Sequence, residues 1–226
     1  MSSIGPAAAA TPLPPQACPT PSELLATSQP PFNDSSIRSQ YNIPPDAELI
    51  YTDGACPSNG TLEGRAGIGI YFGPNDPRNI SARLPGKEHQ TNQRAELFAV
   101  LKALEILYSA QKPGTYVIMT DSMYTIRGLK EWVPNWVRTR WRTSQGRPVV
   151  SKDLFKRAYD LMNRLAEMRI IVNFQHVPGH SGIPGNEMAD QLAVKGAWED
   201  EIMDVEWESK YDDDELDAMA AELENV

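Results

Sequence analysis

The alternation of apolar and polar residues changes character along this 226-residue chain, and each change predicts a different kind of element. Between residues 46 and 90 the apolar positions recur with a period of two, which is typical of β-strands. Three strands are predicted there, over residues 47–52, 65–72 and 79–84, and their short connections favour an antiparallel meander. In the second strand Gly67 and Gly69 share one face, which predicts that another part of the backbone approaches it closely.

From residue 91 onward the apolar positions mostly follow helical spacing. The predicted helices cover residues 91–110, 122–130, 131–137, 151–168 and 185–197. Two further strands lie between them, at 115–120 and 170–176, and the first is almost wholly apolar, as expected of a central strand buried on both faces. The order of elements predicts an α/β fold, a mixed sheet flanked by helices.

Composition divides the chain into three regions. Residues 1–45 contain ten of the nineteen prolines, so we predict a disordered Pro/Ala-rich segment. Residues 46–198 hold the predicted elements and form the expected domain. Residues 199–226 are an acidic tail with two open interpretations: an amphipathic helix that docks on a protein partner or on the domain's own basic surface, and a solvated disordered segment, which we favour. The helical spacing in the tail involves Leu216, Met219, Ala220 and Leu223.

The formal net charge of −9 argues against a nucleic-acid partner, but the charge is unevenly distributed. Residues 199–226 carry thirteen acidic residues and one Lys, a net charge of −12, whereas residues 46–198 carry nineteen basic and fifteen acidic residues, a net charge of +4. The most basic stretch, residues 127–157 with a net charge of +7, also contains three tryptophans. This combination is typical of a nucleic-acid-binding surface. The tryptophans are Trp132, Trp136 and Trp141, and for Trp141 we favour a place in the core.

Other classes of protein fit the sequence poorly. No run of about 18 apolar residues is present. The N-terminus lacks the features of a secretory signal and the arginines of a mitochondrial transit peptide. Cys18 and Cys56 are too few for a disulfide framework or a zinc site. We therefore expect an intracellular monomer, nuclear or cytoplasmic, with no membrane partner and no small-molecule cofactor.

Four carboxylates occupy positions that are expected to be at least partly buried, where an unpaired acidic side chain is destabilising. Asp53 and Asp121 each end a predicted strand, Glu96 lies near the start of a helix beside core-facing residues, and Asp190 lies in the last helix. If the two Asp-bearing strands are neighbours, all four side chains converge at one edge of the sheet. Converging carboxylates repel one another unless a hard cation binds them, so the pattern favours Mg²⁺ and two-metal phosphodiester hydrolysis. For each acid alone, a helix cap, a helix-dipole contact or a turn is the simpler explanation.

Four local motifs favour the metal-binding interpretation over these simpler explanations. They are Tyr51-Thr52-Asp53-Gly54, Thr91-Asn92-Gln93-Arg94-Ala95-Glu96-Leu97, Thr120-Asp121-Ser122-Met123-Tyr124 and His176-Val177-Pro178-Gly179-His180-Ser181-Gly182, the last followed by Gly185-Asn186-Glu187 and Ala189-Asp190. In this order, over residues 47–197, they resemble the type 1 ribonuclease H family, most closely its eukaryotic members. The resemblance implies an RNase H-like fold, a five-stranded mixed sheet whose first three strands are antiparallel. It also implies an endonuclease that hydrolyses the RNA strand of RNA–DNA hybrids and leaves 5′-phosphomonoesters.

The same resemblance assigns catalytic residues. Asp53, Glu96, Asp121 and Asp190 match the metal-binding carboxylates of the family, which hold two Mg²⁺ ions, with Mn²⁺ as a substitute. Asp53 is expected to bridge both ions, Glu96 and Asp121 to complete one site, and Asp190 to hold the other. His180 matches a histidine on a flexible loop beside the metals, where an imidazole can move protons near neutral pH.

Substrate contacts are assigned in the same way. Asn92 and Gln93 correspond to residues that reach into the minor groove of the hybrid. Asn59 corresponds to a contact with RNA-strand hydroxyls, and for it a simple turn before Gly60 is an equal alternative. The residues that correspond to the channel for the DNA strand are Tyr124, Trp132 and Trp136.

The chain also departs from the family pattern. The family binds a DNA-strand phosphate with an Arg, a Thr and an Asn. Thr91 matches the Thr, but the Arg position falls near His89 and the Asn position on Ser151, so we expect an altered pocket with Lys87 as a substitute. Residues 1–45 lack the aromatic and basic content of the N-terminal hybrid-binding domain of many eukaryotic members, so long processive cutting is not expected.

Two alternative functions stay open, a catalytically weak hybrid-binding module and another nuclease or integrase of the same fold. The first is disfavoured because all four carboxylates are present. The second is disfavoured because such proteins carry the last carboxylate on different elements and lack the Trp-rich basic segment.

Overall fold

The computed structural model describes residues 34–57, 59–61, 64–86 and 90–200. Its strands are β1 (Glu48–Ala55), β2 (Gly67–Tyr71), β3 (Ile80–Arg83), β4 (Gly114–Thr120) and β5 (Ile170–His176). Its helices are α1 (Asp34–Gln40), α2 (Asn92–Ala110), α3 (Met123–Arg127), α4 (Val133–Arg138), α5 (Lys152–Glu167) and α6 (Pro184–Gly196). A π-helical turn, Gly128–Trp132, connects α3 to α4.

The five strands form one mixed sheet in the order β3-β2-β1-β4-β5. Strands β1, β2 and β3 pair antiparallel, which confirms the predicted meander, whereas β1–β4 and β4–β5 pair parallel. The last five residues of β4 are buried, as expected of a central strand between two covered faces. The predicted α/β class, with helices flanking a mixed sheet, is confirmed.

Apolar side chains fill both faces of this sheet. On one face α2 packs against β1 and α5 packs against α2, and the apolar stripe of α2 includes Leu97, Leu101 and Leu104, all fully buried. On the other face α6 packs against β1, β2 and β3. Burial of each Leu side chain contributes roughly 1.5–3 kcal/mol, so the packing of α2 between β1 and α5 is a major source of stability on this face.

The glycines of β2 are explained by α6. A Cβ atom on Gly69 would lie 1.9 Å from the Ala189 carbonyl oxygen, and one on Gly67 would lie 2.1 Å from the Ala197 nitrogen. The backbone of α6 therefore lies directly on β2, which confirms the close approach predicted from the sequence. A side chain at either glycine would push the helix away from the sheet.

The predicted disorder of residues 1–45 is wrong for residues 34–45. These residues include α1, and Ile37 and Ile43 are buried in the apolar cluster on the α6 face of the sheet. The guanidinium of Arg38 donates to the carbonyl oxygens of Pro44 and Ala47, at 2.9 and 2.7 Å, and ties α1 to the start of β1. Burial of these two isoleucines against apolar strands stabilises this segment, although its Pro-rich composition alone predicts disorder. The remainder of this prediction, residues 1–33, lies outside the described residues.

The carboxyl boundary of the domain also includes one residue of the predicted tail. Glu199 accepts a hydrogen bond from Ser81 at 3.1 Å and pairs with Lys195 at 2.9 Å. Residues 201–226, with the helical spacing noted above, lie outside the described residues. Within the described part of the chain no helix is both long and apolar enough to cross a membrane.

Candidate active site

Asp53 and Asp121 meet because their strands are parallel neighbours. Tyr51 of β1 is in register with Met119 of β4, and each Asp lies two residues further along the chain. Asp121 directly follows the last residue of β4, as predicted, whereas Asp53 lies inside β1, because pairing with β2 extends this strand to Ala55. The condition set by the sequence, that the Asp-bearing strands be adjacent, is fulfilled. Asp53 is only 7% exposed, and its Oδ1 atom accepts a hydrogen bond from the Gly54 amide at 2.7 Å.

Glu96 and Asp190 reach the same point through two close backbone approaches. A Cβ atom on Gly54, next to Asp53, would lie 2.2 Å from the Glu96 nitrogen, so α2 crosses β1 at this residue. On the opposite face, the Ala189 carbonyl lies against Gly69, which is the register partner of Asp53. Glycines at these two crossings bring the helical carboxylates to Asp53 and Asp121.

The four carboxylates act as one electrostatic group. Burial raises the pKa of Asp53 to about 8, and the charges of Asp121, Asp190 and Glu96 contribute in the same direction, against the opposing hydrogen bond from Gly54. A carboxyl group in this setting is driven toward its neutral form because its neighbours share its charge and little water reaches it.

Glu96 and Asp190 show the same direction of shift. Burial raises the pKa of Glu96, and Asp121 raises it further, whereas hydrogen bonds from Ser122 and Asn92 lower it. Burial also raises the pKa of Asp190, and the positive charge of His180 opposes this shift. The repulsion expected from the sequence is therefore present.

This donor set fits a hard divalent cation. Among residues 34–200, leaving aside those not described, no set of three or more His, Cys, Asp or Glu side chains is grouped so that it could hold a metal ion. Mg²⁺ does not need such a set, since it usually binds one or two carboxylates and fills its shell with water and substrate phosphate oxygens. A cation would also relieve the repulsion that raises the pKa of Asp53.

The simpler explanations for two of the acids do not hold. The N-cap of α3 is Ser122, whose side chain accepts from the Thr125 amide, so Asp121 is not the helix cap. Helix α2 has no acidic residue in its first turn, so Glu96 does not serve the helix dipole there. Both carboxylates instead face the cluster.

His180 lies on the exposed loop between β5 and α6. A Cβ atom on Gly179 would lie 2.4 Å from Oδ2 of Asp121, so the loop backbone touches the carboxylate directly. His180 has a left-handed backbone with φ of 48°, and Glu187 accepts from the Gly182 amide at 3.0 Å. The His180 side chain is exposed, whereas the backbone of its loop lies against Asp121 of the cluster. His176, by contrast, is half-buried at the end of β5.

Comparison with known proteins decides the family. The RNase H family model matches residues 45–198, which is more than half of the chain. The chain belongs to the RNase H family.

Its relatives fall into two groups by length. Ribonuclease H1 of Mus musculus is 45% identical over 156 residues, covering 69% of this chain and 52% of the mouse protein. Ribonuclease H1 of Homo sapiens is 44% identical over 164 residues, covering 73% of this chain and 54% of the human protein. Ribonuclease H of Thiobacillus denitrificans is 38% identical over 151 residues, covering 67% of this chain and 93% of the bacterial protein. The chain therefore spans about half the length of its mammalian relatives and almost all of the bacterial one.

Solved structures agree with this placement. The type 1 enzyme LC9-RNase H1 is similar with a TM-score of 0.54 and 27% identity, covering 69% of this chain and 74% of that one. A foamy viral protease-reverse transcriptase in complex with RNA/DNA hybrid is similar with a TM-score of 0.55 and 27% identity, covering 68% of this chain and 20% of that one. The RNase H-like fold expected from the sequence is confirmed.

The residues assigned to the minor groove form a small network beside the carboxylates. Asn92 donates through Nδ2 to Glu96 at 2.9 Å and accepts through Oδ1 from the Cys56 amide at 3.0 Å. Asn59 accepts from the Asn92 amide at 3.4 Å, so the loop after β1 touches the start of α2. Gln93 is exposed next to them. The structure therefore brings Asn59 and Asn92 together and bonds Asn92 to Glu96, with Gln93 adjacent in the first turn of α2.

The predicted phosphate pocket is only partly described. Thr91 caps α2, and its hydroxyl accepts from the Arg94 amide at 3.2 Å. Arg94 pairs with Asp153 in the first turn of α5, so the starts of α2 and α5 are linked. Ser151 caps α5 without a side-chain hydrogen bond. His89 and Lys87 lie outside the described residues, so their assigned roles stay predictions.

The aromatic residues assigned to the DNA strand form one continuous row. The ring centroids of Tyr124 and Trp132 are 5.6 Å apart, and those of Trp132 and Trp136 are 5.7 Å apart. Phe155 of α5 supports both ends of the row, at 5.5 Å from Tyr124 and 5.3 Å from Trp136. Trp132 and Trp136 are half-buried, whereas Trp141 is 7% exposed and belongs to the core, as predicted.

Sequence reasoning missed Ser122 as a residue of the site. Its buried hydroxyl donates to Oε2 of Glu96 at 2.5 Å. The available signal was its position directly after a strand-end Asp and before a helix, which identifies a helix cap but not a carboxylate partner.

Proposed function

We propose that this chain is an endonuclease that hydrolyses the RNA strand of RNA–DNA hybrids by two-metal-ion phosphodiester hydrolysis. The observation that carries the proposal is the convergence of Asp53, Glu96, Asp121 and Asp190 from four separate elements, with the pKa of Asp53 raised to about 8 by burial and by the other three. A structural role does not explain four converging like-charged groups, of which Asp53 is buried and Glu96, Asp121 and Asp190 are half-buried, because their repulsion costs stability unless a ligand compensates for it.

Relatives support the substrate. The mouse, human and bacterial proteins carry the names ribonuclease H1 and ribonuclease H, and the similar foamy viral enzyme was solved with an RNA/DNA hybrid. In this chain amide side chains of Asn59, Asn92 and Gln93 lie beside the carboxylates. Amides both donate and accept hydrogen bonds, which suits the 2′-hydroxyls that distinguish RNA from DNA in the minor groove.

The four carboxylates would hold two Mg²⁺ ions, or Mn²⁺ as a substitute. Asp53 would bridge them, Glu96 and Asp121 would complete one site, and Asp190 would hold the other. When bound, such ions supply a lowered pKa for the attacking water and charge compensation for the leaving oxygen. The leaving group is the ribose 3′-oxygen, so the product carries a 5′-phosphomonoester.

Other residues of the chain position the substrate and move protons. His180 is exposed beside Asp190, where an imidazole can exchange protons near neutral pH and assist product departure. Thr91 lies at the start of α2 for a DNA-strand phosphate. Tyr124, Trp132 and Trp136, the aromatic row, form a surface against which deoxyriboses pack, flanked by the basic residues of segment 127–157.

A cleavage assay with three substrates tests the proposal. The full chain with Mg²⁺ is expected to cut a uniformly labelled RNA–DNA hybrid and to leave the matching RNA duplex and DNA duplex intact. Cutting of a DNA duplex would identify another nuclease of this fold, and binding of the hybrid without cutting would identify a binding module. The variant Asp121→Asn is expected to lose activity, and full activity of this variant with Mg²⁺ would overturn the metal assignment.

A further inference from the structure

Both oxygens of the Glu96 carboxylate have a hydrogen-bond donor of their own. Oε1 accepts from Asn92 at 2.9 Å, one turn earlier in α2. Oε2 accepts from Ser122 at 2.5 Å, from the turn that follows β4. An ionised carboxylate offers about four lone pairs, so two donors fix its plane and leave lone pairs for a cation.

Ser122 is itself firmly held. It is 4% exposed, its Oγ atom accepts from the Thr125 amide at 3.2 Å, and the hydroxyls of Ser122 and Thr125 are 3.0 Å apart. The amide of Ser122 donates to the Thr120 hydroxyl at 3.2 Å. Because Oγ of Ser122 already accepts from the Thr125 amide and a carboxylate can only accept, the hydroxyl proton is directed to Glu96.

The position of Ser122 gives this contact a second consequence. Ser122 follows Asp121 directly and caps α3, the helix that carries Tyr124 of the aromatic row. The bond to Glu96 therefore connects α2 to the strand end that bears Asp121, across the cluster. Without the Ser122 hydroxyl, Oε2 of Glu96 would lose its donor and the carboxylate plane could rotate about the remaining bond from Asn92 to Oε1.

We infer that Ser122 is a positioning residue that orients the Glu96 carboxylate for divalent-cation binding and couples it to the start of the aromatic row. This inference rests on the proposed function, because it assumes that Glu96 is a cation ligand. The alternative role for Ser122 is that of a helix cap alone. The two roles differ in their consequences, since loss of a cap lowers stability but does not change how a carboxylate binds a cation.

The test compares two variants of the full chain. Ser122→Ala removes both the cap and the bond to Glu96. Thr125→Val is the matched control: it removes the hydroxyl that lies 3.0 Å from Ser122, at a fully buried site of similar volume, and leaves Glu96 untouched. Both variants are expected to lower the melting temperature of the metal-free protein by a few degrees.

The deciding measurement is the rise in melting temperature on titration with Mn²⁺, which follows the affinity of the folded protein for the ion. We expect Ser122→Ala to need roughly 10-fold more Mn²⁺ than the parent chain, because loss of a residue that orients a ligand typically costs 10–100-fold in metal affinity. Thr125→Val is expected to follow the parent curve. Ser122→Thr, which keeps the hydroxyl, is expected to restore most of the affinity.

A second readout separates this inference from the proposed function. The Mg²⁺ concentration for half-maximal hybrid cleavage should rise in Ser122→Ala by the same factor. If the parent chain does not cut hybrids but its Mn²⁺ titration still depends on Ser122, the proposed function fails and the positioning role stands. Identical Mn²⁺ titrations for Ser122→Ala and Thr125→Val would show that Ser122 is only a cap.

Discussion

The carboxylate cluster and the basic segment 127–157 are built in opposite ways. The cluster takes one side chain from each of four distant parts of the chain, and buries Asp53 to 7% exposure. The basic segment is continuous in sequence, and Arg138, Arg140, Arg142 and Arg147 are all exposed. The first depends on tertiary contacts for its existence, whereas the second is a property of local composition.

This difference predicts how each region responds to change. In the cluster a single side chain affects its neighbours through charge and hydrogen bonds, so effects should be large and non-additive. On the basic surface the charges are separated and hydrated, so effects should be small, nearly additive and weakened by salt. The aromatic row lies between these limits, because it is packed on Phe155 on one side and half-exposed on the other.

The largest effect is expected for Asp53→Asn. Loss of a residue that merely orients a ligand costs 10–100-fold, so loss of the central ligand should lower hybrid cleavage by more than about 100-fold. The measurement is initial cleavage rate at saturating Mg²⁺. A matched control is Asp160→Asn, because Asp160 pairs with Arg164 on the outer surface of α5, at 2.8 Å. Equal losses in the two variants would show that the cluster is not special.

The same carboxylate predicts an unusual pH dependence of the metal-free protein. The pKa of Asp53 is about 8 in the folded state against a usual value of 3.8, so between these two pH values the folded chain holds a proton that the unfolded chain has lost. The free energy of unfolding should therefore fall as pH rises from about 4 to about 8, by a few kcal/mol in all.

Melting curves with a chelator present, measured across this pH range, check the sign. In Asp53→Asn the decline should be flatter, and at pH 8 this variant should melt above the parent chain. Added Mg²⁺ should stabilise the parent chain most at the alkaline end. A parent chain whose stability rises steadily over this range would contradict the raised pKa.

Trp136→Ala is expected to have an intermediate effect on two properties. The ring packs against Trp132, Trp141 and Phe155, so truncation should cost about 2–3 kcal/mol of stability and should also weaken hybrid binding. Chemical denaturation and a binding titration measure the two losses. Unchanged stability would mean that the row is not supported by the core.

Arg142→Gln sharpens the contrast with the aromatic row. Arg142 is exposed in the loop that contains the bridge to Pro148. Its replacement should leave stability unchanged, weaken binding modestly, and reduce the slope of log affinity against log salt by about 1. Affinity measured at several salt concentrations provides the slope, and an unchanged slope would place this residue away from the phosphates.

The smallest effect is expected from the acidic tail. Truncation after Asp200 keeps Glu199, which is bonded to Ser81 and Lys195, and removes only residues 201–226. If the tail competes with phosphate for the basic segment, truncation should raise hybrid affinity severalfold at low salt and have no effect at high salt. Equal affinities of the full and truncated chains at low salt would exclude this competition.

Most element positions followed from the sequence, because apolar periodicity reports which faces are buried. The predicted strand at 170–176 matches β5, and the predicted helix at 91–110 differs from α2 by one residue, the cap Thr91. The errors lie where local signals are weak. Helix α1 is too short for a periodic pattern, and it is stabilised by burial of Ile37 and Ile43 in the apolar cluster on the α6 face.

By itself the sequence determined the fold class, the basic surface and the identity of the four carboxylates, because motifs, periodicity and charge are all properties of neighbouring residues. Only the tertiary structure decided how these carboxylates meet. The parallel pairing of β1 with β4 aligns Asp53 with Asp121, and backbone contacts at Gly54 and Gly69 bring in the two helical acids. The role of Ser122 also belongs to the tertiary structure, since its partner Glu96 is twenty-six residues away along the chain and adjacent only in space.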